Sequence, residues 1–427
     1  MILYNLARKV NAQIKKYRKH QNGRFLSASR RIEFVNPPCE GRFVAMTFDD
    51  GPTTLPTTSD PAVGLTESIL NTLQKYDAKG TFDVIGSTAE NYPDVPGRVG
   101  DFSWSGVHFD HYPKYGSDVD AGAVHCPALM ERIIREGHEI TSHTYSHRLF
   151  GPMRAVYGDR THFTCLDDVV KDLERLDRYM SDRFGYKIHL SRPPHYIDRI
   201  PDGANSYDAY RIMGYNYLAA SFDGAGWQPL DSYEKEVSAM VDPLRRVLED
   251  DPDALNGQII FQKDGCNMNL RTPVADGLEA QLKLLSEYGY KVITVSELLD
   301  RSPFEDVRND CEELSYIKKL LSMKHTVGYR NNTFAPERFI TADEFRIMCT
   351  DPALFRVRSA MSYIEMTRVA KDFTESKKIR LQSASGNEML GVAMALGVSV
   401  DERRLKDKKN VKRMDAAELI AAVSEIL

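Results

Sequence analysis

Short apolar segments alternate with longer amphipathic segments from Arg42 to Leu299, and this alternation limits the fold more than any other feature of the chain. The apolar segments have the length of buried strands, and the segments between them carry apolar residues at helical spacing. Strands that are joined by helices run parallel, so the pattern predicts an α/β fold. The predicted strands are Phe43–Phe48, Thr81–Ile85, Glu139–Ser142, Ile188–Ser191, Tyr217–Phe222, Gln258–Phe261 and Val292–Thr294. The predicted helices are Leu65–Tyr76, Pro127–Glu136, Leu166–Met180, Tyr233–Leu248 and Val274–Tyr288.

The number of units favours a closed barrel. Seven predicted strands fit an α/β barrel better than an open sheet, although the alternation alone also allows the sheet. We assign residues 41–300 to this barrel. The pattern stops near Arg301, and residues 301–427 are predicted to form a smaller, mainly helical accessory domain.

The start of the chain is basic, although the whole chain is not. Residues 1–31 contain Lys and Arg but no acidic residue, and we treat residues 1–40 as a basic N-terminal segment. Such a segment can form a helix that packs on the barrel or one that lies on an anionic membrane surface. The formal net charge of −5 argues against a nucleic-acid partner. We find no secretory signal and no membrane-spanning run, so a cytoplasmic location is the default, while a role at the cell wall stays open.

Residues that can bind metals or transfer protons follow the predicted strands, at the point where each strand ends. Barrel enzymes assemble their active sites at the carboxyl ends of their strands, so we expect these side chains to meet at one mouth. The residues are Asp49 and Asp50, His143 and His147, Arg192, Asp223 and Lys263.

Two histidines and two aspartates indicate a metal site. His143 and His147 are four residues apart, and on a helical turn this spacing places both imidazoles on one face. Two histidines and one carboxylate leave coordination positions open, as a catalytic site requires. One of the adjacent acids Asp49 and Asp50 can then bind the ion while the other takes a proton from water. We expect one divalent ion, zinc first, with cobalt, nickel and manganese also accepting these ligands.

The two motifs that carry these residues resemble those of a known family. Thr47-Phe48-Asp49-Asp50-Gly51-Pro52, followed by Ser142-His143-Thr144-Tyr145-Ser146-His147, resembles the first two motifs of the polysaccharide deacetylases, carbohydrate esterase family four. The resemblance covers residues 42–300 and implies a distorted seven-stranded α/β barrel. It also implies that Asp49 is the general base and that Asp50, His143 and His147 bind the metal.

The later motifs depart from the family pattern. Arg192-Pro193-Pro194 resembles the third motif, whose arginine orients the base, and His195 and Tyr196 follow where the family uses an aromatic residue. In the fourth motif Gly226 precedes Trp227 where the family has an aspartate, and Asp223 is a candidate replacement as partner of Arg192 or Lys263. Lys263 stands where the family has its acidic histidine.

Lys263 can be interpreted in two ways. Burial beside a dication would lower its pKa, so that it could act as the acid or stabilise the oxyanion. Alternatively it is a surface or structural lysine that takes no part in the reaction, and catalysis is either lost or supplied by another group such as His195 or a histidine of the long loop. Candidate substrate contacts are His195, Tyr196, Trp227 and His111, the last in the long aromatic-rich connection from Ser87 to Val124.

The tail weakly resembles an S-layer homology repeat. The resemblance is carried by the series from Val327 to Pro336 and by Ile340-Thr341-Ala342, where true repeats have an arginine after the Ile-Thr pair. The resemblance implies weak cell-wall contact, and a helical packing or oligomerisation domain is the alternative.

The function that we predict is metal-dependent hydrolysis of an N- or O-acetyl group on a carbohydrate, with a metal-bound water as the nucleophile. The partner would be an acetylated glycan or an amino sugar. Two alternatives stay open: a catalytically silent, metal-containing carbohydrate-binding protein, and an intracellular amidohydrolase that acts on a small molecule.

Overall fold

The computed structural model describes residues 29–91, 119–158, 160–310, 314–322 and 328–340, together with Glu344 and parts of the range 412–421. These residues form two compact units. One unit comprises Ile32–Arg301, and the other holds the described residues outside this range. The boundaries near residues 40 and 300 stay predictions. Among the described residues, no helix combines the length and the apolar character that crossing a membrane requires.

The larger unit is built on one sheet whose strand pairs run parallel, with helices in the connections. The predicted α/β fold is therefore confirmed. Its strands are β1 (Arg31–Ile32), β2 (Arg42–Asp49), β3 (Thr81–Val84), β4 (Glu139–Ser142), β5 (Leu190–Ser191), β6 (Asn216–Leu218), β7 (Phe222–Asp223), β8 (Ile259–Lys263) and β9 (Tyr290–Ile293). Its helices are α1 (Leu65–Lys75), α2 (Pro127–Arg135), α3 (Arg154–Tyr157), α4 (Leu166–Phe184), α5 (Ser206–Met213), α6 (Tyr233–Asp250), α7 (Val274–Glu287) and α8 (Val295–Arg301).

The sheet curls into a barrel-like shape. Its strand order is β1-β6-β5-β4-β3-β2-β8-β7, and β9 also pairs with β2. β6 and β7 lie near opposite ends of this order although only residues 219–221 separate them in the chain. The short link therefore brings the two ends of the sheet together. The predicted strand Tyr217–Phe222 is split at this link, which is one reason why the structure has more strands than the predicted seven.

β2 is buried on both faces, as the central strand of a parallel sheet should be. Val44, Met46 and Phe48 belong to one apolar cluster, which also contains residues of α1 and α7. Phe43 and Ala45 belong to a second cluster with residues of β8 and α8. Successive side chains of a strand point to opposite faces, so Thr47 and Asp49 share the face of Phe43 and Ala45.

Local sequence signals explain where several helices begin and end. Asn205 and Asp208 form a reciprocal capping box at the start of α5. The side chain of Ser232 accepts a hydrogen bond from the Lys235 amide at the start of α6. α4 ends at Gly185, whose φ of 62° lies in the left-handed region that glycine adopts without strain.

The smaller unit has its own apolar centre. The rings of Phe304 and Phe334 lie 5.6 Å apart, and Tyr329 is buried beside Arg413, whose guanidinium lies 4.6 Å from the Tyr329 ring. The Arg413 side chain donates to the Phe334 carbonyl at 2.7 Å. One further helix, α9, spans Leu314–Ser322. The S-layer resemblance stays a prediction, and residues 341–343 lie outside the described residues.

Candidate active site

Three buried side chains converge beyond the ends of β2 and β4. Asp50 Oδ1 lies 3.3 Å from His143 Nε2 and 3.2 Å from His147 Nε2. All three ligand atoms lie within 4.8 Å of one another. Two atoms bound to one tetrahedral ion at about 2.1 Å would be about 3.4 Å apart, so the donor set has the spacing of a metal site.

The backbone around these side chains is unusual. Five non-glycine residues at this mouth have φ values between 55° and 82°, the left-handed region that side chains disfavour. Each such residue costs on the order of 1–3 kcal/mol and persists only where its surroundings hold it in place. Strain of this kind clusters at functional sites. The residues are Asp50, Thr144, His147, His195 and Tyr196.

The prediction of a helical turn between the two histidines is wrong. Residues 143–147 form a loop, and the left-handed conformation of Thr144 and His147 brings the imidazoles together instead. The buried carboxylate of Asp172, on α4, holds this loop. It accepts hydrogen bonds from the Tyr145 amide at 2.7 Å and from the Ser146 hydroxyl at 2.6 Å.

Asp49 is buried at the end of β2 and is paired with Arg192. The Arg192 guanidinium is fully buried and donates to Asp49 Oδ1 and, at 3.0 Å, to Thr47 Oγ1. Its other donors reach the carbonyls of Leu218 at 3.4 Å and Ala219 at 3.2 Å. Burial raises the pKa of Asp49 to about 6, against the opposing effect of Arg192.

Asp83 was missed at the sequence level. It lies on β3 in register with Asp49 on β2 and Thr141 on β4. Its Oδ1 accepts a 2.6 Å hydrogen bond from Thr141, and its Oδ2 lies 2.8 Å from His143 Nδ1. A single acid among the apolar residues of a buried strand was the available signal, because acids are almost never fully buried unless they are paired.

Lys263 lies at the end of β8, in register with Asp49, and its ammonium is paired with Asp50 Oδ2. Burial lowers the pKa of Lys263, but the Asp50 carboxylate more than offsets this effect and the net pKa is raised. The expected lowering of this pKa assumed a dication beside the lysine, and it stays a prediction. The same ion pair and the hydrogen bonds from His143 and His147 outweigh burial at Asp50 and hold its pKa well below the usual value.

Asp223 does not pair with Arg192 or Lys263 as expected. Its exposed carboxylate accepts hydrogen bonds from the Trp227 indole at 3.0 Å and from the Ala225 amide at 2.9 Å. An aspartate at position 226 would require neighbouring side chains to shift. A Cβ on Gly226 would lie 2.6 Å from a methyl group of Val274.

The other residues that were predicted to contact the substrate lie in different surroundings. The His195 ring lies 5.4 Å from the His147 ring and 4.5 Å from the Tyr157 ring. Burial, followed by the nearby His147, lowers the pKa of His195 well below its usual value. The Tyr196 ring centre lies 5.5 Å from the Arg192 guanidinium. His111 and most of the long connection lie outside the described residues, because residues 92–118 are not described.

Comparison with known proteins agrees with the two motifs. Residues 37–210 match the family model of the polysaccharide deacetylases. The peptidoglycan-N-acetylglucosamine deacetylase PgdA of Listeria monocytogenes is 21% identical over 293 residues, which are 68% of this chain and 46% of that protein. The peptidoglycan-N-acetylmuramic acid deacetylase PdaC of Bacillus subtilis is 25% identical over 62% of this chain and 40% of that protein.

The matched region thus spans less than half the length of these two curated relatives. Among solved structures, the chitin deacetylase of Colletotrichum lindemuthianum is 19% identical with a TM-score of 0.43, over 64% of this chain and 92% of that one. The match to the family model agrees with the resemblance of the two motifs: residues 37–210 carry a polysaccharide deacetylase domain.

Proposed function

We propose that this protein removes acetyl groups from an acetylated glycan by metal-dependent hydrolysis. The proposal rests on one observation: a set of metal ligands and a buried ion pair lie side by side at the ends of the strands. Asp50, His143 and His147 form a buried set of metal ligands, and the Asp49–Arg192 pair lies beside them. Ligands for an ion next to a carboxylate that can accept a proton are what hydrolysis of an acetyl group requires.

The ligand set fits a divalent ion. Two imidazoles and one carboxylate are the donors of known catalytic zinc sites, and cobalt, nickel or manganese would accept them too. When bound, such an ion polarises a carbonyl group and lowers the pKa of water. The three residues that would hold it are Asp50, His143 and His147.

Asp49 is the proposed general base. It precedes Asp50 directly, so its carboxylate lies next to the ligand set while it occupies the other face of the strand end. Arg192 holds one carboxylate oxygen of Asp49 in place and is itself fixed by two backbone carbonyls. A base that is fixed in this way can take a proton from the attacking water without first reorganising.

Lys263 is the proposed stabiliser of negative charge. Its ammonium is paired with the Asp50 carboxylate and therefore lies at the edge of the ligand set. A cation at this place would attract the negative charge that develops on the acetyl oxygen as water attacks. Because it carries a proton, it could also protonate the leaving nitrogen of an N-acetyl group.

The substrate class is proposed from the relatives. PgdA and PdaC are named as deacetylases of peptidoglycan N-acetylglucosamine and N-acetylmuramic acid. An N-acetylated amino sugar within a glycan is therefore the first substrate to test. His195, Tyr196 and Trp227 are the described residues that we propose as its contacts.

A silent carbohydrate-binding protein is the second candidate. The observation in its favour is the ion pair between Lys263 and Asp50, because a lysine ammonium so close to a metal ligand would repel a dication. Such a protein would bind acetylated glycans at this mouth but release no acetate.

Acetate release from a panel of acetylated glycans, with and without added divalent metal, distinguishes these candidates. The wild-type protein should release acetate from at least one glycan, and Asp49→Asn should lower the rate by about 10²–10⁴. Asp231→Asn is the matched control, since it neutralises an aspartate whose side chain is 89% exposed. Glycan binding without acetate release under all conditions would favour the silent protein.

The role of Lys263 has its own test. Lys263→Met should strongly reduce turnover of an N-acetyl substrate, because the leaving amine needs a proton. It should affect an O-aryl acetate less, because that leaving group needs little protonation. Equal loss on both substrates would restrict Lys263 to stabilising the oxyanion, and no loss on either would remove it from the mechanism.

A further inference from the structure

Asp83 is a buried acid in a place where an apolar residue would be expected. Its neighbours on β3, Phe82 and Val84, are core residues, and its own side chain is 0% exposed. A buried carboxylate is costly unless hydrogen bonds or cations compensate for the lost water. Thr141 donates to Oδ1, whereas Oδ2 has no hydrogen bond of good geometry and faces His143. The position of this second oxygen therefore calls for an explanation.

The surroundings of His143 determine which ring nitrogen carries a hydrogen. Nδ1 lies 2.9 Å from the Arg192 carbonyl oxygen and 2.8 Å from Asp83 Oδ2. Both oxygens are acceptors in their ordinary states, so Nδ1 must be the N–H donor. Nε2 faces the other ligands of the set, at 3.3 Å from Asp50 Oδ1, which is also an acceptor. A metal ion bound there would take the Nε2 lone pair, and the ring that keeps its hydrogen on Nδ1 is the tautomer that can provide it.

The charge of Asp83 also matters. The buried cluster contains the carboxylates of Asp49, Asp50 and Asp83 and the cations of Arg192 and Lys263. A further buried carboxyl group, Asp264, interacts with Asp50 and Lys263, and burial raises its pKa to about 7. Removal of the Asp83 charge would make this cluster more positive by one unit and so weaken its attraction for a dication.

We propose that Asp83 is a positioning residue that acts on the metal through His143. Together with the Arg192 carbonyl it keeps the hydrogen of the His143 ring on Nδ1, and it adds a negative charge that favours a divalent cation at the site. This inference rests on the proposed metal site but not on the deacetylation itself. Partners of this kind typically change metal affinity by about 10–100-fold when they are removed.

The test is zinc affinity, measured on the full chain by competition with a chromophoric chelator. Asp83→Asn keeps the size and the hydrogen bond from Thr141 but removes the charge, and it should bind Zn²⁺ about 10–100-fold more weakly. Glu139→Gln is the matched control. Glu139 is also a buried carboxylate, at the opposite end of β4, where it accepts hydrogen bonds from Thr81 and Ser296. Its affinity for zinc should equal that of the wild type.

Each outcome has one meaning. Equal zinc affinity of Asp83→Asn and the wild type would overturn the role of Asp83. A wild-type protein that binds no zinc would overturn the metal site and the role of Asp83 with it. Zinc binding that depends on Asp83, with no acetate release from any glycan, would leave the inference intact and overturn the proposed function alone.

A second measurement needs no variant and so does not depend on whether Asp83→Asn folds. Nitrogen-15 NMR of the histidine-labelled, zinc-loaded wild type reports which ring nitrogen of His143 carries a hydrogen. The inference requires Nδ1–H with Nε2 bound to zinc. An Nε2–H tautomer, or zinc bound through Nδ1, would overturn it.

Discussion

Replacement of Arg192 by methionine should destabilise the protein severely, because it leaves a buried negative charge without its partner. Arg192 is fully buried and Asp49 is 3% exposed, so water cannot replace the lost guanidinium. Breaking a buried ion pair from one side costs about 3–5 kcal/mol. The carbonyls of Leu218 and Ala219 also lose their donors. We therefore expect a loss at the upper end of that range, measured by urea unfolding in the presence of a chelator.

The double variant tests the cause of this loss. In Asp49→Asn/Arg192→Met the uncompensated charge is gone, so the loss should be smaller than the sum of the two single losses by about 1–3 kcal/mol. Arg183→Met is the control, because Arg183 and Glu131 form an exposed pair whose side chains are 57% and 54% exposed. Such pairs contribute about 0–1 kcal/mol. A cost of Arg192→Met no larger than this control, or strict additivity with Asp49→Asn, would refute the reasoning.

Three further predictions concern the scaffold. Burial, followed by Lys79, lowers the pKa of His138 to about 4, and its Nδ1 accepts a hydrogen bond from the Gly80 amide. The unfolded chain takes up this proton below about pH 6.5 but the folded one does not, so up to roughly 2–3 kcal/mol of stability should be lost between pH 6.5 and 4. Urea unfolding of His138→Asn should show a correspondingly smaller loss over that window, and an identical pH profile would contradict this. Gly226→Ala should cost about 1–3 kcal/mol because the new methyl group meets Val274, and unchanged thermal unfolding would contradict the tight fit. Truncation after Leu299 should leave a domain that unfolds cooperatively and binds metal, whereas an insoluble product would place the tail in the barrel's core.

The candidate metal ligands could be grouped from the sequence because it was enough to know where each strand ends. Asp50 and His143 each follow a strand directly, and parallel neighbours end at the same side of a sheet. The alternation of side chains along β2 likewise places Asp49 on the face opposite to Phe48. Both inferences use only the order of residues along one strand and at its end, which can be read directly from the sequence.

The remaining features depend on register and on backbone conformation. Asp83 joins the site because β3 lies between β2 and β4 in one particular register. The lone acid in this strand was visible in the sequence, but the register that brings it to His143 was not. The loop from His143 to His147 departs from a helix because Thr144 and His147 adopt left-handed conformations that Asp172 supports from a distant helix. The pKa of Lys263 rises because Asp50 meets it directly, and this contact could not be foreseen from the sequence.

The most direct test of a metal-dependent deacetylase is acetate release as metal is returned to the chelated protein. Zn²⁺ or Co²⁺ would be added stepwise to the wild type and to His143→Ala in the presence of an N-acetylated oligosaccharide. We predict that the wild type releases no acetate without metal, that its rate rises in proportion to added metal and levels off near one ion per chain, and that His143→Ala stays inactive throughout. Acetate release that is indifferent to chelation, or a wild type that binds metal and glycan but never releases acetate, would contradict the account.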